Sequence, residues 1–475
     1  MHSNQISRRQ FIQSAAFSLG ALSTSMPMLA PNSDKPSREK PNIIFILTDD
    51  QRWDALGCAG DPIIRTPNMD RLATDGVRFE NAFVTTPICA ASRASIFTGL
   101  HERTHGFTFN TPPLSPEFMD MSYPVLLRRA GYQTGFVGKF GIVVPEGGED
   151  EMFDSYVNLH RDPYFKKING KLKHLTDITG DHALEFLRSC KSGQPFCLSI
   201  SFNAPHAEDR DPRQYIWPSS CDNFYNDVQI PKPKLADPAF FEAQPEFIKT
   251  SMNWIRWRWR FDTPEKYQTM VKGYYRMISG VDMVIGRLRE ALKQLGLDRN
   301  TVIILTSDNG YFLGERGFAG KWLMYEPSLR VPLIIYNPRI TTSSQGTVLE
   351  QMVLNIDIAP TILGLAGIDI PQAMQGRDLE PILNGEQVDW RSEMFCEHLF
   401  VHKDIPQSEG IRTERWKYFR YREHPDFEEL YDLVNDPFEE RNLVPEQNYK
   451  KILLELRQRC DEKIKILSNA HSKCP

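Results

Sequence analysis

Two strand-like runs, at residues 41–47 and 301–307, constrain the fold of this chain most strongly. A short apolar run without polar alternation is typical of a strand buried on both faces of a parallel sheet. Acidic and amide side chains follow the two runs: Asp49, Asp50, Asp308 and Asn309. Because the carboxyl ends of parallel strands line one crevice, we expect these four side chains to meet there.

Further strand-like segments occur at 135–137, 196–200 and 331–336, and they alternate with helical stretches. The longest helical stretch is 267–295, where apolar residues recur at helical spacing. This alternation predicts an α/β fold with a large, mostly parallel sheet flanked by helices.

The pattern changes after about residue 385. A basic and aromatic strand is predicted over 412–421, and a final helix over about 446–467. We therefore predict a catalytic domain over residues 41–385. A small C-terminal α+β subdomain, consisting of an antiparallel sheet and a helix, is predicted over 386–475.

Composition and charge exclude several classes of protein. Of the 475 residues, 41% are hydrophobic and 25% are charged, which is typical of a soluble globular enzyme. The net charge of −5 gives no overall attraction for nucleic acid, so no nucleic-acid partner is expected. An anionic substrate must instead be bound by a local basic cluster.

The N-terminus resembles a twin-arginine export signal. Arg8 and Arg9 precede a stretch of apolar and small residues, and the predicted signal covers 1–30, followed by a linker over 31–40. The stretch is too short and too polar for an integral membrane span. We therefore predict an exported bacterial protein, periplasmic or extracellular.

The acidic and amide residues at the two strand ends predict a metal site. Three carboxylates would repel one another unless a cation lay between them, and ligands that offer only oxygen favour Ca²⁺, or less strongly Mg²⁺, over zinc. The alternative is that these residues only cap helices or turns.

A second candidate centre is Cys89-Ala90-Ala91-Ser92-Arg93, with Thr98-Gly99 downstream. Cys89 is predicted to begin a helix, and one helical turn brings Arg93 to the same face. The helix N-terminus and the guanidinium would both stabilise negative charge at residue 89. A plain thiol nucleophile would need a nearby base, and this segment provides none.

This motif resembles the signature of the type I sulfatases, in the alkaline phosphatase superfamily, and related segments run from about residue 41 to 443. The resemblance implies an alkaline-phosphatase-like fold. It also implies that a formylglycine-generating maturation enzyme oxidises Cys89 to formylglycine (3-oxoalanine). Ala91 stands where proline is more usual in the family.

The resemblance also implies roles for residues outside the motif. The Ca²⁺ ligands would be Asp49, Asp50, Asp308, Asn309 and the modified Cys89. Arg93 would hold the formylglycine, Lys139 and Lys321 would bind the sulfate, and His206 would contact the leaving oxygen.

Two positions depart from the family pattern. Gly141 stands where a histidine that assists sulfate release is expected, and Arg316 replaces a frequent histidine. The base for sulfate release is therefore unassigned, with His105 or a side chain from 142–182 as alternatives.

These features predict an enzyme that hydrolyses sulfate esters on a small sulfated substrate, and we expect that substrate to be a carbohydrate. One alternative is a phosphonate or phosphate ester hydrolase of the same superfamily, and another is a non-catalytic binder of sulfated glycans. The segment Trp254–Arg260 is either a sugar-stacking, sulfate-binding strip or a packed surface segment.

Overall fold

The computed structural model describes residues 39–109, 112–340 and 344–471. The predicted export signal lies outside these residues, as does most of the predicted linker. The described residues from Lys40 onward belong to one compact unit. The boundary predicted at residue 385 stays a prediction. Within the described ranges, no helix is both long enough and apolar enough to cross a bilayer.

The strands are, in chain order, β1 (Asn42–Thr48), β2 (Val77–Phe79), β3 (Ala82–Phe83), β4 (Gln133–Gly138), β5 (Ser155–Asn158), β6 (Phe165–Ile168), β7 (Lys171–His174), β8 (Phe196–Ser201), β9 (Thr301–Ser307), β10 (Phe312–Leu313), β11 (Ala319–Gly320), β12 (Leu333–Tyr336), β13 (Thr347–Leu349), β14 (Val353–Leu354), β15 (Glu393–His398), β16 (Ser408–Thr413), β17 (Trp416–Tyr421) and β18 (His424–Asp432).

The α-helices are α1 (Pro67–Asp75), α2 (Cys89–Thr98), α3 (Glu102–His105), α4 (Pro116–Asp120), α5 (Tyr123–Arg129), α6 (Gly148–Met152), α7 (Leu175–Ser189), α8 (Pro238–Glu242), α9 (Glu246–Lys249), α10 (Met252–Arg260), α11 (Pro264–Gln294), α12 (Glu326–Leu329), α13 (Ile358–Leu365), α14 (Glu380–Leu383) and α15 (Lys450–His471).

The main sheet has the strand order β13-β2-β12-β9-β1-β8-β4-β5. Its centre is parallel, and β12 alone runs opposite to its neighbours. Every residue of β1, β8 and β9 is buried, as expected for strands covered on both faces. Two large apolar clusters pack on the sheet, and one of them includes the long helix α11. The predicted mostly parallel α/β fold is therefore confirmed.

The C-terminal sheet is antiparallel, in the order β15-β16-β17-β18. Ile411, Tyr418 and Leu430 from this sheet pack against Leu453 and Leu456 of α15 in a separate apolar cluster. An antiparallel sheet with a final helix is the C-terminal architecture that the sequence predicts.

Candidate active site

The register of β1 and β9 brings the predicted acidic residues together. Thr48 lies opposite Ser307, so both strands end at the same level. The backbone N–H of Asp50 donates to Oδ1 of Asp308 at 3.3 Å. Nδ2 of Asn309 donates to Oδ1 of Asp50 at 2.6 Å. All four acidic and amide side chains therefore meet in one buried crevice, as predicted.

Asp50 turns away from the strand with a left-handed backbone, at a φ of 70°. Aspartate tolerates this region better than most residues do. The Tyr274 hydroxyl donates to the Asp50 carbonyl at 2.7 Å and so fixes the turn from α11. This conformation directs the Asp50 side chain toward Asn309.

Three oxygen atoms in the crevice are buried and accept no hydrogen bond: Asp49 Oδ1, Asp50 Oδ2 and Asn309 Oδ1. Buried oxygens without a partner are costly unless a cation or a donor satisfies them. Candidate ligand atoms of Asp49, Asp50 and His206 also lie within 4.8 Å of one another. These residues therefore fit a hard divalent cation. The proximity of His206 to the two carboxylates was not predicted.

Cys89 is the first residue of α2 and is 7% exposed. The preceding residue, Ile88, is extended, so the helix begins directly at the cysteine. The whole of α2 is buried, and its first turn has no acidic residue. The positive end of the helix dipole therefore faces residue 89.

Arg93 lies one turn into α2 and is 1% exposed. Its guanidinium contacts residues at the carboxyl ends of three strands, β9, β4 and β8. Its Nε and Nη2 both lie 2.8 Å from Oδ2 of Asp308. Its Nη1 donates to the Lys139 carbonyl at 2.6 Å and to Oγ of Ser201 at 2.5 Å. The guanidinium thus fixes Asp308, in addition to lying on the helix that carries Cys89.

The two predicted sulfate-binding lysines contact the carboxylates of Asp49 and Asp50. The Lys139 ammonium contacts Asp49. Nζ of Lys321 lies 2.5 Å from Oδ1 of Asp50 and 3.7 Å from Oδ1 of Asp49. Both ammonium groups therefore line the crevice in which the acidic residues meet.

His206 also lies in this crevice, with Nε2 3.6 Å from Oδ2 of Asp50. Its Nδ1 lies 2.6 Å from the carbonyl of Ala207, which fixes the orientation of the ring. Burial lowers the pKa of His206 well below its usual value, and the charge of Arg161 lowers it further.

The charges of the crevice change the pKa values of its members. Burial disfavours ionisation of Asp49, but Lys139, His206, Lys321 and Arg93 outweigh it and hold its pKa well below the ordinary value. Burial and the nearby charge of Asp49 raise the pKa of Asp308 to about 6. The crevice thus holds carboxylates with different proton affinities.

Gly141 adopts a φ of 74°, and a Cβ there would lie 2.8 Å from Cδ of Arg93 and 3.5 Å from Cε of Lys139. Residue 141 therefore contributes only backbone to the crevice. His105, considered as a replacement base, is buried, and its Nε2 lies 3.0 Å from Oγ of Ser95.

The Trp254–Arg260 segment is helical and lies within α10. Arg260 is fully buried, and it donates to Gln214 and Tyr311 at 2.8 Å. Trp259, at 42% exposure, remains accessible. These contacts favour the packed segment over a continuous sugar-stacking strip.

Comparison with known protein families identifies the family to which this chain belongs. The family profile described as Sulfatase matches residues 41–368. The chain belongs to the sulfatase family. A second profile, N-sulphoglucosamine sulphohydrolase, C-terminal, matches residues 314–465 of this sulfatase. Sulfatases are sulfuric ester hydrolases of the alkaline phosphatase superfamily, so the predicted enzyme class is confirmed.

Relatives of this sulfatase match it over most of its length. An N-acetylglucosamine-6-O-sulfatase of Bacteroides thetaiotaomicron is 30% identical, over 91% of this chain and 87% of its own. An arylsulfatase of Clostridium perfringens is 29% identical, over 88% of this chain and 93% of its own.

A solved structure of BT4656 in complex with its substrate D-glucosamine-2-N,6-O-disulfate superposes on this sulfatase with a TM-score of 0.79. It is 28% identical, over 90% of this chain and 98% of its own. The phosphonate monoester hydrolase of Agrobacterium radiobacter shares the fold at a TM-score of 0.74 and 24% identity.

Proposed function

We propose that this sulfatase hydrolyses a sulfate ester on a carbohydrate, using a formylglycine hydrate made from Cys89 and a bound Ca²⁺. The three unpartnered oxygens of Asp49, Asp50 and Asn309 are the observation that carries this proposal. Cys89 begins the helix whose Arg93 binds Asp308, the fourth member of this group. The relatives named for glucosamine sulfates support a carbohydrate as the substrate.

The proposed metal ligands are Asp49, Asp50, Asp308, Asn309 and the modified residue 89. A Ca²⁺ held there would act as a Lewis acid, and the formylglycine hydrate would supply the attacking hydroxyl. All four protein side chains are nearly or fully buried, so they would need little rearrangement to bind the ion. An oxygen-rich set of this kind favours Ca²⁺ over softer metals.

The remaining residues would bind the sulfate and move protons. Lys139 and Lys321 would offset the negative charge on the sulfuryl oxygens. Asp308, one of the proposed metal ligands, would also accept the proton of the attacking hydroxyl. His206 would donate from Nε2 to the leaving alcohol oxygen in its protonated form, because the Nδ1 hydrogen is directed at the Ala207 carbonyl, and Lys321 would assist. Gly141 provides no base for the release of sulfate.

The test is sulfate release by protein that is co-expressed with a formylglycine-generating enzyme. We expect inorganic sulfate from at least one member of a panel of sulfated mono- and oligosaccharides, and slower turnover of an aryl phosphate diester. Intact-mass analysis should show oxidation of Cys89 to the aldehyde, and the Cys89→Ala variant should be inactive. Faster diester turnover would support the phosphoester alternative, and binding without sulfate release would support the glycan-binder alternative.

We also propose that the chain is exported through the twin-arginine route in a bacterium. The Arg8-Arg9 pair, followed by apolar and small residues, supports this proposal. Fractionation should place the wild type outside the cytoplasm and the Arg8→Lys, Arg9→Lys double variant inside it. Cytoplasmic wild type would exclude this route.

A further inference from the structure

The segment that follows β5 is fixed against the crevice. The backbone N–H of Leu159 donates to the carbonyl of Gly138 at 2.8 Å, so this segment continues beside the loop that carries Lys139. Nδ2 of Asn203 donates to the carbonyl of Leu159 at 3.0 Å. The Tyr164 hydroxyl donates to the carbonyl of His206 at 2.6 Å. Residues 159–164 are therefore held next to His206.

This segment carries Arg161, which faces Glu208, two residues beyond His206. Nε of Arg161 lies 3.4 Å from Oε2 of Glu208, and the two side chains are 30% and 10% exposed. These two facing atoms are buried but form no hydrogen bond. Among the described residues, none donates to the Glu208 carboxylate or accepts from the Arg161 guanidinium. The pair therefore keeps its hydrogen-bonding capacity free.

Other arginines near the crevice differ from Arg161. Arg93 and Arg260 both donate several hydrogen bonds to neighbouring side chains. Buried polar atoms without a hydrogen bond, such as Nε of Arg161 and Oε2 of Glu208, are uncommon, because leaving them unsatisfied costs free energy. A role in binding substrate would explain why the Arg161 guanidinium and the Glu208 carboxylate lie side by side with hydrogen-bonding groups that no protein atom uses.

The position of Arg161 indicates which part of the substrate it would meet. Tyr164 fixes the segment that carries Arg161 to the carbonyl of His206, and Glu208, which faces Arg161, follows His206 by two residues. Arg161 therefore lies near the histidine that would contact the leaving alcohol. Because Glu208 offsets its charge, a neutral polar group fits this pair better than a second anion.

We propose that Arg161 and Glu208 form a specificity-determining pair that binds sugar hydroxyls next to the scissile ester. The proposal rests on the proposed function. A guanidinium only donates hydrogen bonds and a carboxylate only accepts them, whereas a hydroxyl does both. Adjacent hydroxyls of a pyranose can therefore satisfy the pair, and an aryl leaving group cannot. A site built to bind a hydroxyl discriminates strongly against substrates that lack it.

The test compares kcat/KM for N-acetylglucosamine 6-sulfate and for 4-nitrophenyl sulfate in mature protein. We expect Arg161→Met and Glu208→Gln to lower kcat/KM for the sugar sulfate by about 100-fold. The same variants should leave the value for the aryl sulfate within about threefold. Arg213→Met is the matched control, since Arg213 is an exposed arginine that also pairs with an acidic residue, Asp211, and it should change neither value.

Three outcomes would overturn this inference. An equal fall for both substrates would mean that the pair supports the fold or binds the sulfate itself. A loss confined to sugars that carry a second sulfate or a carboxylate would make Arg161 an anion site. If the wild type released sulfate from neither probe, nor from any sugar of the panel, the proposed function would be rejected as well. The activity of the wild type therefore distinguishes failure of the proposed function from failure of the Arg161–Glu208 inference alone.

Discussion

Gly141 and Arg93 are packed so closely that a Cβ on residue 141 would lie 2.8 Å from Cδ of the arginine. The arginine occupies the volume that a side chain at residue 141 would need. The glycine is therefore coupled to the position of the guanidinium that binds Asp308. The glycine at residue 141, where the family resemblance predicts a histidine, therefore leaves the space that the Arg93 side chain occupies.

We therefore expect Gly141→Ala to lower kcat by about tenfold or more, because it would displace Arg93 and with it Asp308. The substitution also places alanine at a φ of 74°. Gly385→Ala is the control, with a φ of 76° and no atom within 4 Å of the new Cβ. It should show only the cost of the left-handed backbone, roughly 1–2 kcal/mol in the free energy of unfolding. Equal effects of the two variants on stability and kcat would refute the coupling.

Arg93→Lys should lower kcat/KM by about 100-fold, although it conserves the charge. An ammonium cannot reproduce the planar set of contacts to Asp308, the Lys139 carbonyl and Ser201. Arg128→Lys changes a similar ion pair with Asp154 that is about one-third exposed, and it should leave kcat/KM unchanged. Steady-state kinetics on an aryl sulfate measures both variants, and a fully active Arg93→Lys would show that geometry at this position is unimportant.

The crevice of acidic residues could be predicted from the sequence, because these residues directly follow buried strands. Asp49 and Asp308 meet because β1 and β9 are adjacent and parallel. The two buried runs that end in acids predict that the acids line one crevice, but they do not predict that the two strands are neighbours. Cys89 begins α2 as predicted. By contrast, the reversed direction of β12 could not be predicted, because an apolar strand reads the same in either direction.

The contacts that could not be predicted from the sequence are those between residues far apart in the chain. Arg93 and Asp308 are 215 residues apart, and their contact depends on how α2 packs against the end of β9. Arg161 approaches Glu208 only because β5 lies at the edge of the main sheet beside β4. No periodicity or motif marks either residue of that pair, so only the fold identifies them as neighbours.

Calcium should stabilise the folded protein through the unpartnered oxygens of the crevice. At a Ca²⁺ concentration of 100 times the dissociation constant, we expect about 2.7 kcal/mol of stabilisation, reversed by a chelator. Asn309→Ala should reduce this gain, whereas Gln133→Ala should keep it. Oε1 of Gln133 is also buried and unpartnered, but Gln133 begins β4, at the end of the strand opposite the crevice. Thermal unfolding with Ca²⁺, Mg²⁺ or neither measures the effect. A Tm that is independent of all three conditions would argue against a metal site.

Glu102 should make the folded state less stable as the pH rises. Its side chain is fully buried and accepts a hydrogen bond from Thr86 at 2.7 Å. Burial, together with the charge of Glu397, raises the pKa of Glu102 from 4.5 to about 8. Below pH 4.5 the carboxyl is protonated in both states and costs nothing. Between pH 4.5 and 8 the unfolded chain ionises it while the folded protein does not, so stability falls across that window.

Glu102→Gln removes this titration and should therefore be more stable than the wild type at pH 8, by on the order of a few kcal/mol. The difference should shrink toward pH 5, because that pH is only about half a unit above 4.5 and ionisation of the unfolded chain then destabilises the folded protein little. Glu290→Gln, at an exposed position of α11, should follow the wild type at every pH. Urea unfolding at pH 5, 6.5 and 8 measures all three proteins. Stability curves for Glu102→Gln and the wild type that run parallel across this range would show that Glu102 does not titrate on unfolding.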